Sequence, residues 1–246
     1  MKLSDCQQKT IIDTSKVNKN TIVVLFAGSA IDMSDWIDKV AAVVWAGFPG
    51  EMGGDAVVDV LAGKVNPSGK LAETFPLRYE DTPAAKCDND SVVTRYNEGL
   101  NVGYRYYDSY NIPVLFPFGY GLSYSEFEYK DLKLKTDGKT VELEYEIVNK
   151  SNIDGSEISQ IYVRPLSSRV YRPNKELKGF SKDIIYVGAK ASIKVVLDKT
   201  AFAYWSVGKD DWTVDDGVYE IIVGASVADE KLKAKVKIVD GNIIVL

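Results

Sequence analysis

The chain of 246 residues contains no histidine. This absence excludes a histidine-based catalytic triad, the usual zinc hydrolase site, a histidine haem ligand and a histidine pH switch. Any catalysis would have to use carboxylates, tyrosine, lysine, serine or cysteine.

Cysteine is also scarce, since Cys6 and Cys87 are the only two. They are too few and too far apart in sequence for a disulfide framework or a thiolate metal site. We expect free thiols in a reduced compartment, and a single disulfide is the alternative. The sequence predicts neither a metal nor a cofactor.

A basic excess and long apolar runs are missing as well. Thirty Lys and Arg face 35 Asp and Glu, a net charge of -5, so we expect no nucleic-acid partner. The apolar stretch 41–48 is far shorter than the roughly 20 residues of a membrane helix. Residues 1–20 are polar and lack the pattern of a signal peptide. We therefore expect no membrane partner and a cytoplasmic location.

Hydrophobic periodicity divides the chain into different regions. From about residue 21 to 75, short apolar runs alternate with helical segments, which predicts a partial α/β sandwich with mainly parallel strands. The predicted strands are 21–26, 42–45 and 70–75. The predicted helices are 34–40, with Ser34 as N-cap, and 55–61, with Gly63 just after its end.

From residue 127 onward, apolar residues recur with a period of two, which predicts an antiparallel, immunoglobulin-like β-sandwich. The predicted strands there are 141–148, 158–163, 193–197, 219–223 and 232–238. Between the two regions lies an aromatic-rich stretch with neither period, interpreted as an ordered linker. The predicted domains are 1–95, the linker 96–126, and 127–246.

A sheet of about three parallel strands leaves two edges open and makes a small core. The first domain should therefore belong to a larger one, form a homodimer or pack on another polypeptide. A homodimer contact would centre on strands 21–25 and 42–45 or on the tyrosine-rich linker.

Several motifs occur in an ordered series. They are Trp-Ala-Gly-Phe-Pro-Gly-Glu-Met-Gly-Gly-Asp (45–55), Asp-Val-Leu-Ala-Gly-Lys-Val-Asn-Pro-Ser-Gly-Lys-Leu (59–71), Thr-Phe-Pro (74–76), Tyr-Asn-Glu-Gly-Leu-Asn-Val-Gly-Tyr-Arg-Tyr-Tyr-Asp (96–108) and Phe-Pro-Phe-Gly-Tyr-Gly-Leu-Ser-Tyr (116–124). In order and spacing they resemble the C-terminal part of glycoside hydrolase family 3, which includes β-glucosidases and β-xylosidases. Residues 175–180 and 217–224 resemble that family's fibronectin type III-like domain. Family members usually have Gln-Glu where this chain has Glu51-Met52, and Pro in place of Ala72.

The resemblance implies a retaining mechanism, which needs two carboxylates about 5 Å apart. In the family, the nucleophilic Asp lies in a separate (β/α)8 barrel and the acid/base Glu typically precedes the matched segment. We therefore predict no catalytic residue in this chain. Ser34-Asp35-Trp36 imitates the nucleophile motif, and we interpret it as a helix start.

Other candidate residues have structural interpretations. The turn 49–54 lacks the Gly-Lys-Ser/Thr ending of a P-loop, and Glu51 and Asp55 would repel phosphate, so it predicts a tight turn. Trp205 and Trp212 are expected in a core or edge position of the sandwich. Alternating lysines mark a solvated strand face that guards an edge: Lys231, Lys233, Lys235 and Lys237. Tyrosines could stack on sugars, but packing beside Arg105 and Asp108 is favoured: Tyr96, Tyr104, Tyr106, Tyr107, Tyr110, Tyr120 and Tyr124.

The leading hypothesis is an accessory C-terminal portion of a family 3 β-glycosidase, inactive alone, whose partner is the catalytic barrel. Two alternatives remain. The chain could be an autonomous module with weak saccharide or protein binding, or one chain of a split glycosidase whose barrel is a separate chain.

Overall fold

The computed structural model describes residues 1–87 and 92–246. An α/β unit is followed by a connection and an antiparallel β-sandwich, so the predicted fold class is confirmed. Cys6 and Cys87 are free thiols, as predicted. Over the described residues, no helix is long and apolar enough to cross a membrane, and no group of metal-ligating side chains occurs.

The first helix, α1 (Asp5–Val17), begins with a capping box. The Ser4 side chain accepts a hydrogen bond from the Gln7 backbone, and the Gln7 side chain accepts one from the Ser4 backbone. Two N–H groups that the helix itself leaves unpaired are thereby satisfied.

The predicted parallel pair is present as β1 (Ile22–Leu25) and β2 (Ala42–Trp45). They pair in parallel with Ile22 opposite Ala42 and Leu25 opposite Trp45. A core cluster forms around them and includes the buried side chains of Met33, Trp36 and Phe75.

The predicted helix 34–40 is wrong. A single 3-10 turn, Ile37–Lys39, occurs there, and its N-cap, Trp36, makes no side-chain capping bond. Ser34 instead donates from its backbone N and from Oγ to Asp32 Oδ1, at 3.0 and 2.6 Å. A carboxylate two residues upstream offers a local turn that competes with helix capping.

The third predicted strand is also wrong in extent and direction. Strand β3 (Phe75–Pro76) pairs antiparallel with β4 (Val114–Phe116) in a separate two-stranded sheet. Leu71 does not extend it, because Leu71 exchanges backbone hydrogen bonds with Gly119 and Tyr120, both at 2.8 Å. Pro76 has no N–H and limits further pairing.

Helix α2 (Gly53–Leu61) starts two residues before the predicted position and ends at Leu61 as predicted, with Gly63 just after its end. Gly63 has φ +71°, and its N–H donates to the Val60 carbonyl at 3.0 Å. Lys64 N–H donates to the Asp59 carbonyl at 2.9 Å. This is a Schellman motif, in which glycine avoids the strain that a side chain would cause at positive φ.

The aromatic connection contains a short helix, α3 (Tyr104–Ser109), and strand β4. Both lie between α2 and the sandwich and were not predicted from the sequence. Six residues are too few for the helical period to be recognised.

The β-sandwich consists of a three-stranded and a five-stranded sheet, with strand orders β5-β6-β9 and β14-β13-β12-β7-β8 in the described residues. Its core comes from alternate residues of the two inner faces, such as Leu143, Ile161 and Ile221. A separate hairpin is formed by β10 (Tyr204–Ser206) and β11 (Asp211–Thr213). The sandwich strands are β5 (Phe127–Thr136), β6 (Val141–Asn149), β7 (Gly155–Pro165), β8 (Glu176–Ile185), β9 (Lys190–Leu197), β12 (Gly217–Gly224), β13 (Glu230–Val239) and β14 (Asn242–Val245).

The lysines of β13 are exposed, as predicted. Their edge role holds for only part of the strand, because β14 pairs with residues 236–239 and the preceding residues have no partner strand on that side in the described chain. Strand β14 (Asn242–Val245) was not predicted from the sequence.

Salt bridges attach the connection to the sandwich. Lys175, only 3% exposed, lies 3.3 Å from Asp108 on α3 and also pairs with Glu230 on β13. Arg164 and Lys233 contact the same Glu230 carboxylate at 2.7 and 2.6 Å. Burial disfavours its charge, but hydrogen bonds from the two lysines and the charge of Arg164 lower the pKa of Glu230 to about 2.

This network predicts a loss of stability in acid. The unfolded chain binds a proton at Glu230 near its ordinary pKa of 4.5, whereas the folded chain does so only near 2. The stabilisation is therefore present above about pH 4.5 and decreases as the pH falls toward about 2. Urea unfolding across this range should show a smaller acid-dependent decrease for Glu230→Gln, which should also be less stable at neutral pH.

The control is Glu128→Gln, because the Glu128 side chain is 52% exposed in its pair with Lys150. It should follow the unmodified chain at every pH. An identical pH dependence in Glu230→Gln and the unmodified chain would contradict the assignment.

Candidate functional site

The carboxyl ends of β1 and β2 form the candidate site, because ligands and partner elements bind parallel sheets at this edge. The segments that follow the two strands are residues 26–28 and 46–54. We call these two segments the carboxyl edge.

The two segments of the carboxyl edge are in contact. A Cβ atom placed on Gly28 would lie 2.5 Å from Phe48 Cε2, so the Phe48 ring needs a glycine at this position. Phe26, Phe48 and Met52 are nevertheless 57%, 82% and 64% exposed. Large apolar side chains grouped at one edge are typical of a surface that another element covers.

The turn before α2 is tight, as predicted. Gly53 N–H donates to the Gly50 carbonyl at 3.2 Å, and Gly50 has φ +74°. Glu51 is exposed within the turn. Its charge and that of Asp55 in the first turn of α2 disfavour an anion there, so the turn shapes the edge.

The side chains of Ser34, Asp35 and Trp36 lie in three different environments and do not form one site. Asp35 is exposed and pairs with Lys2 at 2.9 Å, whereas Trp36 is buried in the core. Ser34 binds Asp32. Burial opposes the charge of Asp32, but the Ser34 hydrogen bonds and the nearby Lys2 lower the pKa of Asp32 overall. It therefore stays ionised, unlike a general acid.

The tyrosines of the connection divide into packed and exposed sets. Tyr104 stacks on Phe118 with ring centroids 4.6 Å apart, and its hydroxyl accepts from Leu177 N–H at 2.8 Å. Arg105 pairs with Glu176 at 3.1 Å. The other packed members are Tyr106 and Tyr107, which are buried, and Tyr120, which stacks on Phe116. The exposed members are Tyr96, Tyr110 and Tyr124.

Asn66 joins the α/β unit to the start of the sandwich. Its Nδ2 donates to Ser125 Oγ and to the Asp154 carbonyl, both at 2.8 Å. Its Oδ1 accepts from Ser123 Oγ at 2.9 Å and from Tyr124 N–H at 2.8 Å. All hydrogen-bonding positions of this amide are used, which specifies its orientation.

Lys70 makes the second connection. Its Nζ lies 3.2 Å from Glu157 Oε2 on β7 and 3.2 Å from the Gly121 carbonyl. Glu157 is 4% exposed and accepts from the Tyr129 hydroxyl at 2.8 Å. Burial, together with the Glu157 charge, raises the pKa of Tyr129 far above its ordinary value. The sequence shows this segment only as a motif, because Gly121 and Glu157 lie 51 and 87 residues away from Lys70.

Residues 1–124 match the glycosyl hydrolase family 3 C-terminal domain, and residues 157–227 match the fibronectin type III-like domain. The chain therefore belongs to glycosyl hydrolase family 3 and corresponds to its C-terminal portion.

Known relatives extend well beyond the matched region. Thermostable beta-glucosidase B of Acetivibrio thermocellus is 42% identical over 97% of this chain and 32% of its own length. An exo-alpha-(1->6)-L-arabinopyranosidase of Bifidobacterium breve is 40% identical over 91% of this chain and 30% of its own. The crystal structure of a GH3 beta-glucosidase from Bifidobacterium adolescentis superposes with a TM-score of 0.90 at 39% identity, covering 94% of this chain and 35% of that one. The chain spans about a third of these proteins.

Lys70→Met tests the buried connection. Removing the ammonium leaves the Glu157 charge buried without its cation, so we expect about 3–5 kcal/mol lower free energy of unfolding. The measurement is equilibrium urea unfolding.

The matched control is Lys64→Met, whose side chain is 69% exposed in a pair with Asp59. It should cost less than about 1 kcal/mol. Adding Glu157→Gln to Lys70→Met should recover part of the loss. Equal effects of the two lysine variants would show that the Lys70 pair contributes nothing.

Proposed function

We propose that this chain is the C-terminal accessory portion of a family 3 β-glycosidase. In this proposal the chain supports the catalytic (β/α)8 barrel and forms one wall of the active-site cleft. The complete enzyme would hydrolyse O-glycosidic bonds, with β-glucosides as the substrate class. The observation that carries the proposal is the alignment of 97% of this chain with only 32% of a β-glucosidase.

The open strand edges of the α/β unit support a covering partner. Strands β1 and β2 pair only with each other in the described part of the chain, so each has an open edge. Additional protein against this unit would complete the sheet.

The carboxyl edge is the surface proposed to meet the barrel. It presents Phe26, Phe48 and Met52 to solvent, while the opposite end of the chain forms a closed sandwich core. Burial of these three side chains would contribute roughly 1.5–3 kcal/mol each to docking.

We predict that the purified chain does not hydrolyse aryl β-glucosides. Its Asp35 is ion-paired with Lys2 at the surface, and the family resemblance places both carboxylates of the retaining mechanism outside this chain. Release of nitrophenol from nitrophenyl β-glucosides measures this directly.

The variant Asp35→Asn separates real turnover from contamination. Any residual signal should be the same with and without the substitution. Steady turnover by the purified chain that Asp35→Asn abolishes would overturn the accessory role.

We also propose that the isolated chain self-associates through the open strands of its α/β unit. A two-fold dimer would cover the β1 and β2 edges, where Ile22 is 47% exposed. Light scattering over a dilution series should show a mass above 27.2 kDa at high concentration. Ile22→Lys should shift the mass toward the monomer, because charge on an edge opposes pairing.

Lys19→Glu is a control that changes charge just before β1 without altering the strand. A monomer mass at every concentration, together with no binding of an apolar dye, would reject self-association.

A further inference from the structure

An exposed tryptophan pair lies on the β10–β11 hairpin. Trp205 and Trp212 are cross-strand partners, with ring centroids 5.8 Å apart in an edge-to-face arrangement. They are 49% and 62% exposed, so of the expected core or edge positions the core is wrong, and both lie on edge strands of a two-stranded sheet. Indoles usually bury most of their surface, and two exposed together indicate a binding surface.

A groove of about 550 Å³ opens beside Trp212. This volume lies within the range of small-molecule sites. Its floor comes from the ends of β8 and β9, and its lining is Leu177, Lys178, Val196, Leu197, Asp198, Thr200, Ala201 and Trp212.

The polar groups of the groove are held in place. Asp198 Oδ1 accepts from Thr200 N at 2.9 Å and from Thr200 Oγ1 at 2.5 Å, capping a short 3-10 turn. Lys178 Nζ lies 3.6 Å from Glu176, and its side chain is 18% exposed. Together they provide an ammonium donor, a carboxylate acceptor and a hydroxyl oxygen that can accept, since its proton is donated to Asp198.

The lining contains one cation and one anion, which favours an uncharged ligand with many hydroxyl groups. A pyranose ring also has a flat face of C–H groups that packs on an indole. The hairpin carries exposed charges at Lys209, Asp210 and Asp211, and charged residues are depleted at the centre of protein interfaces. The surroundings therefore favour a small ligand over a protein.

We propose that this groove binds a neutral saccharide, with one sugar ring stacked on Trp212 and its hydroxyls contacted by Lys178, Asp198 and Thr200. The proposal goes beyond the accessory role and does not depend on it, because binding requires no catalytic group.

The test is an NMR titration of the ¹⁵N-labelled full chain with cellotetraose, xylotetraose and maltotetraose, each added separately. The chain has four tryptophans, so the indole N–H signals of Trp36 and Trp45 serve as internal references. We expect a saturable shift of the Trp212 signal with at least one tetrasaccharide at millimolar concentration, while the two references stay unchanged.

Two variants locate the site. Trp212→Ala should weaken binding at least tenfold, measured by calorimetry. Asp198→Asn should also weaken it while keeping the fold, because asparagine caps a helix as well as aspartate does. Val207→Ser is the matched control, since Val207 is 87% exposed on the same hairpin and does not line the groove. It should bind like the unmodified chain.

Three results would overturn the proposal. One is no Trp212 shift with any of the three sugars, and another is equal affinity in Trp212→Ala and the unmodified chain. The third is a Trp212 signal that moves with protein concentration alone, which would identify the hairpin as a protein contact. None of these results bears on glycosidase turnover, so failure here is distinguishable from failure of the accessory role.

Discussion

The buried carboxylate of Glu157 is the constraint on which the arrangement of the two halves depends. It lies on strand β7 of the sandwich, accepts a hydrogen bond from the Tyr129 hydroxyl of β5 and is paired with Lys70 from the α/β unit. A charge at 4% exposure is costly unless such partners are present. The docking of the first half is therefore linked to the stability of the second.

The two halves differ in how completely their cores are enclosed. The sandwich closes its core between two sheets, with Leu143, Ile161 and Ile221 fully buried. The α/β unit keeps a two-stranded parallel sheet with open edges and an exposed carboxyl edge. Parallel sheets are normally covered on both faces, which is why this unit is the proposed contact with a catalytic domain and the sandwich is not.

The aromatic residues illustrate how context assigns roles to similar side chains. Tyr104 packs between the connection and the sandwich because both its ring and its hydroxyl find partners there. Trp212, on a short hairpin, packs only against Trp205 edge to face and keeps most of its ring in solvent. A buried ring cannot stack on a ligand. An exposed ring beside fixed polar groups can.

The sequence by itself determined the family, because its ordered motifs resemble those of family members. It also determined the strands of strict alternation, such as β6, and the end of α2 just before Gly63, because these depend on local periodicity and backbone preference. It wrongly predicted a third parallel strand over residues 70–75 and a helix over residues 34–40. There Leu71 pairs with Gly119 and Tyr120, and Asp32 binds Ser34. Only the tertiary structure brought Lys70 to Glu157 and set Trp212 beside Asp198, because those contacts join segments that no local pattern connects.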